Sequence, residues 1–203
     1  MDTAIAMSTI TPIRTTTDAL ERVAGATRPR ILVAGLGNSI LQDDGIGVHA
    51  ALALAELELP GVVCAEIGTA VLDGLHLYEW ADRIIALDAM SAGGRPGQIY
   101  LAAEDDLAGG ECEASLHQLD LKAALRLSPE PIAAEIVVIG VEPQTIHYGL
   151  DLTPPLQRAL PRVVTLARRL IAAWQDPASA DLDWRTIAAA AFAGPAAWPA
   201  ERD

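Results

Sequence analysis

The 203-residue chain carries 14 Lys and Arg against 27 Asp and Glu, a formal net charge of −13, and 51% of its residues are hydrophobic. With only 20% charged residues it is too apolar for a disordered chain. The acidic excess argues against nucleic acid as a partner, because that affinity comes mainly from Lys and Arg clusters.

Cys64 and Cys112 are too few for a disulfide framework or a four-ligand zinc cluster, and two thiols suit a reducing compartment. The first thirty residues lack the basic n-region and apolar h-region of a secretory signal. No uninterrupted apolar run reaches the ~18 residues of a membrane span. The expectation is a cytoplasmic protein with no membrane span.

Along the chain, residues 1–29 are rich in Thr, Ala and Arg and weakly periodic, and are expected to form a poorly ordered extension. Residues 30–174 hold nearly all the strand and helix signals and are expected to form a single domain. Ile31–Ala34 predicts a buried strand ending at Gly35, and Gly45–Leu59 a helix stopped by Pro60. Val62–Ala65 predicts a second strand, followed by a helical stretch over Leu72–Trp80. Ile84–Leu87 predicts a third strand ending at Asp88, and Gln98–Ala102 an added strand after a Gly- and Pro-rich turn. Ser115–Leu127 reads as a helix with Ser115 and Gln118 placed as a capping box. Ile136–Gly140 is a further buried run, and Thr153-Pro154 opens an amphipathic helix to about Trp174. From Gln175 to Asp203 the chain is an Ala- and Pro-rich tail, with a short helical candidate near Asp183–Phe192. Strands alternating with helices give an α/β fold: three layers, a mostly parallel twisted sheet of about five strands, and helices on both faces.

In open α/β sheets ligands sit outside the carboxyl ends of the strands, so the residues after each apolar run are the ones to weigh. Gly35-Leu36-Gly37-Asn38 starts like a dinucleotide fingerprint, but Ile40 stands where the third glycine would fall. The acidic Asp43 and Asp44 would also compete with a pyrophosphate at the next helix. As a pair at a helix start, these aspartates suit simple capping. Asp88 changes that balance, since a carboxylate directly after a buried strand is costly to desolvate without a partner. His117, on the first turn of its helix, completes a set of two carboxylates and one imidazole. Such a set binds divalent transition ions and leaves positions open for substrate.

Cys64 reads as a small buried hydrophobe, and Cys112, five residues before His117, as a possible soft ligand. His49, His76 and His147 have structural readings. No nucleophile elbow, His-Glu-x-x-His helix or Walker loop is present.

Ile31–Asn38 followed by Asp43-Asp44-Gly45-Ile46-Gly47-Val48 resembles the opening of the hydrogenase maturation proteases. The likeness continues through Gly68-Thr69, Asp88-Ala89, Ser115–Leu119, Ile139–Pro143, Gly149-Leu150 and Leu152–Pro154, spanning roughly residues 30–172. It implies an aspartyl-type endopeptidase that trims the C-terminal extension of the large-subunit precursor of a nickel–iron hydrogenase. It also implies a metal-site triad of Asp44, Asp88 and His117, meeting nickel carried by the precursor rather than permanently bound. Two departures stand out. Asp44 occupies a position where many members have Glu, and Glu66-Ile67-Gly68-Thr69 replaces the commoner Asp-Gly-Gly-Thr. Asp43 and Glu66 remain candidate general bases. The competing reading is a non-catalytic nickel-binding chaperone or sensor that uses the same ligands.

Overall fold

A computed structural model describes residues 28–103, 125–128, 132–179 and 183–187. Among the described residues five strands form one sheet: β1 (Ile31–Leu36), β2 (Val62–Gly68), β3 (Arg83–Ala89), β4 (Ile99–Ala103) and β5 (Glu135–Val141). Their order is β2-β1-β3-β5-β4, with every pairing parallel except that of β4 with β5. β1 is buried along its whole length, as a central strand covered on both faces requires.

The helices whose ends lie among the described residues are α1 (Ile46–Ala55), α2 (Leu75–Trp80) and α3 (Pro154–Gln175). Short 3-10 turns, Gln42–Gly45 and Val71–Gly74, lead into α1 and α2. One face of the sheet packs Ile31, Val33, Ile85, Leu87, Val137 and Ile139 against α1 and α3. The other packs Leu32, Ala34, Ile84, Ala86 and Val138 against Val71, Leu77 and Tyr78. The three-layer α/β arrangement expected from the sequence is the one observed.

α1 is apolar around most of its circumference because it lies between the sheet and α3. Its approach is close: a Cβ on Gly47 would stand 2.1 Å from the Leu87 carbonyl oxygen. α1 ends at Ala55 rather than Leu59, and Glu58 adopts a left-handed φ of 45° in the turn before Pro60. Residues 125–127 and 184–187 are helical, at the end and start of two predicted helices. The remainder of those helices, together with Cys112, His117, residues 1–27 and 188–203, lies outside the described residues.

Candidate active site

The candidate site is built where β1 and β3 end side by side. The β1–β3 register runs from Ile31↔Arg83 to Gly35↔Leu87, so Asp88 is the next residue beyond the pairing. Alternation along β3 sends Ile84, Ala86 and Met90 to the α2 face, and Asp88 shares their parity. Asp88 is buried, and its Oδ1 accepts a hydrogen bond from the Ala89 amide at 2.9 Å.

Asp44 arrives from β1 through a sharp turn. Gly37 takes φ +100°, and a Cβ there would lie 1.9 Å from the Asp44 carbonyl oxygen and 3.6 Å from Asp88 Oδ1. Only a residue with no side chain allows the Asp44 backbone so near, next to the Asp88 carboxylate. Asp44 Oδ2 accepts the Asn38 amide at 2.8 Å, which fixes the carboxylate of this buried residue. Both aspartates named from the sequence are thus neighbours of Gly37 at the carboxyl edge of the sheet, each with one oxygen held by a backbone donor.

The other two candidate acids are placed differently. Asp43 is fully buried and its carboxylate is enclosed by donors. Its Oδ1 accepts Thr153 N (2.8 Å), while Oδ2 accepts Gln144 N (2.9 Å), Thr145 N (3.1 Å) and Thr153 Oγ1 (2.8 Å). It ties the 144–153 connection to the turn that carries Asp44, and its lone pairs are committed to that task. Glu66 is exposed on edge strand β2, where Val62 and Cys64, which share its parity, pack toward α1 and α3. It therefore occupies the sheet face opposite Asp88.

A fifth acid, Glu142, was not singled out from the sequence as a candidate site residue. Glu142 directly follows β5 and is buried; its Oε2 accepts Ala92 N (2.9 Å), Gly94 N (3.1 Å) and Tyr100 Oη (2.7 Å). Burial is the largest single influence and pushes its carboxyl upward. The hydrogen bonds from Tyr100, Ala92, Gly94 and Gly93 together outweigh it and hold the group below the ordinary glutamate value. The signal that singled out Asp88, an acid straight after a buried run, was present here too.

Among the described residues no three His, Cys, Asp or Glu side chains form a metal-holding group, and His117 is outside those residues. Of the remaining candidates, His76 Nδ1 lies 3.1 Å from the Asp73 carbonyl oxygen, close to its own helix start. His49 is half-buried on α1, and His147 is exposed. Cys64 is partly buried, and desolvation pushes its thiol up to about 12, so it behaves as an inert small hydrophobe.

Comparison with known proteins extends this picture. The family model for hydrogenase maturation protease matches residues 48–169, more than half of the chain, beginning just after Asp44 and including Asp88 and His117. The hydrogenase expression/formation protein HupD of Bradyrhizobium diazoefficiens is 33% identical over 154 residues, covering 71% of this chain and 79% of that protein. Among solved structures, the [NiFe] hydrogenase maturation protease HybD from Thermococcus kodakarensis superposes with a TM-score of 0.60 at 28% identity, covering 70% of this chain and 99% of the other. The hydrogenase maturating endopeptidase HybD from Escherichia coli gives 0.59 at 26%, covering 70% and 91%. In sequence and in fold alike, the chain belongs to the hydrogenase maturation protease family.

Proposed function

We propose that this endopeptidase removes the C-terminal extension of a nickel-loaded hydrogenase large-subunit precursor, with Asp44, Asp88 and His117 meeting the precursor's nickel. The observation that carries the reading is the pair of buried aspartates flanking Gly37 at the carboxyl edge of the sheet. Carboxylate oxygens and an imidazole are a donor set suited to a divalent transition ion. A backbone donor on each carboxylate orients it toward a single task, as supporting hydrogen bonds do around metal ligands.

In this scheme the precursor's C-terminal segment lies across the ends of β1 and β3. Asp44 and Asp88 hold the metal-bearing end of the segment, and a water attacks one peptide bond. The metal supplies charge stabilisation for the carbonyl oxygen or acidifies a water. Asp43 is a poor choice of base because its oxygens are already saturated, and Glu66 is on the wrong face. The water's proton passes instead to a carboxylate of the Asp44–Asp88 pair, which gives it up to the leaving amine nitrogen as the C–N bond breaks.

The protein is further read as cytoplasmic. Among the described residues no helix is long and apolar enough to cross a membrane. A non-catalytic nickel-binding module is not favoured, because the related proteins are peptidases.

The test is incubation of the purified protein with nickel-loaded and nickel-free precursor, followed by mass spectrometry. Loss of a short C-terminal peptide from the loaded form alone is expected. Binding without cleavage would return the chaperone reading, and equal cleavage of both forms would end the nickel-dependent one. At the residue level, Asp88→Asn and His117→Ala are expected to abolish processing. A variant that processes normally removes its residue from the mechanism.

A further inference from the structure

Glu142 spends a buried charge on an exposed loop. Residues 91–96, which connect β3 toward β4, are all exposed, yet the Ala92 and Gly94 amides and the Tyr100 hydroxyl converge on one buried carboxylate. The backbone of Glu142 serves the same loop: its amide donates to Gln98 O at 2.8 Å and its carbonyl accepts Gly97 N at 2.8 Å. A plain crossing from β3 past β5 to β4 needs no desolvated anion, which is costly unless several donors surround it.

The loop begins two residues after Asp88. Met90 N donates to Val141 O at 2.9 Å, and the Met90 side chain lies over Gly140, where a Cβ would come within 2.6–2.9 Å of it. Gly140 is the register partner of Asp88. On the opposite side, the β1 pairing stops at Leu87, so in the sheet Asp88 and Ala89 are held by β5 alone. The end of β5 and the loop it pins are therefore what fixes the backbone carrying Asp88.

We propose that Glu142 is a positioning residue for the reaction: through the 90–98 loop it holds Asp88 at the geometry that cleavage requires. The proposal rests on the reading in which Asp88 acts at the scissile site. A residue acting this way changes turnover more than binding, because the segment still docks while a working carboxylate is misplaced.

The experiment measures cleavage of nickel-loaded precursor by the full-length protein carrying Glu142→Gln, Tyr100→Phe or Asp88→Asn, with kcat and KM determined separately below the melting temperature. Glu142→Gln is expected to lower kcat about 10–100-fold with KM little changed, the range typical of residues that orient a site's ligands. Tyr100→Phe removes one donor and is expected to give a smaller loss of the same kind. The Met90 and Ala92 amides should exchange hydrogen faster in Glu142→Gln. A folded Glu142→Gln protein with wild-type kcat overturns the proposal, even if its melting temperature falls. If Glu142→Gln does not fold, Tyr100→Phe decides by the same criterion. Inactive Asp88→Asn beside fully active Glu142→Gln defeats the positioning role alone, whereas active Asp88→Asn defeats the reading beneath it.

Discussion

Asp43 and Asp44 are adjacent in sequence and identical in chemistry, yet they do different work. Asp43 faces inward and collects donors from residues about a hundred positions later, while Asp44 turns to the strand end and takes one amide from Asn38. Replacing Asp43 with Ala strands buried amides with no acceptor, and a cost of about 3 kcal/mol or more is expected from denaturant melts. Asp44→Asn should leave the midpoint of such melts nearly unmoved and remove processing. Gly37→Ala should do both kinds of damage, since its φ of +100° and its 1.9 Å approach to Asp44 O admit no Cβ. Loss of soluble protein or of cleavage is expected, and a stable, active alanine variant would contradict the turn geometry. The family resemblance separated Asp44 from Asp43, but the residues by themselves could not, because the division depends on which distant amides reach each carboxylate.

At the scale of elements, the apolar runs located the four parallel strands to within about one to three residues, since a covered parallel sheet demands continuous apolar stretches, while the turn before it marked the antiparallel edge strand β4. α3 was equally legible: Leu156, Ala159, Val163, Leu166, Ala167, Leu170 and Trp174 follow the spacing of one helical face. Thr153, which the sequence offered as its opening residue, makes no side-chain cap and gives its hydroxyl to Asp43 instead. Helix ends were harder to read. α1 stops four residues short of the predicted Leu59, and the turn after it relies on Glu58 adopting a conformation that no local pattern announces. α3 also runs through Pro161, which lies on its exposed side. Proline inside a helix removes a backbone donor and crowds the preceding turn at a cost of about 3 kcal/mol, so Pro161→Ala should raise the urea midpoint. No effect on cleavage is expected from that change.

For the whole molecule, the net charge of −13 is mostly a solubility feature, and two depressed carboxyls, Asp82 and Glu142, supply its specific pH response. Asp82 lies below its ordinary value chiefly through the hydrogen bond from Arg30, partly opposed by burial, and Glu142 is lowered as described above. A carboxyl depressed by folding contributes stability that is fully present above the unfolded value, about 4, and is lost as pH falls through the folded one. The melting temperature should therefore hold near neutrality and fall steeply as pH drops below about 4. Glu142→Gln should flatten that fall. Half-exposed Asp82 contributes little of it because solvent screens its pair with Arg30.

The Asp43 knot also has a consequence in time. Its carboxylate precedes Thr153 by 110 residues, so the donors from Gln144, Thr145 and Thr153 do not exist until the chain has been made through β5. A young polypeptide that tried to close the β1 turn would bury an anion with nothing to receive it. Closing so long a loop is slow, and contacts of this range tend to form after the folding barrier. Asp43→Asn should accordingly speed unfolding while leaving the refolding rate nearly unchanged in stopped-flow measurements. The turn that carries Asp44 is then the last part of the molecule to set, so the proposed site is completed only once the sheet is in place.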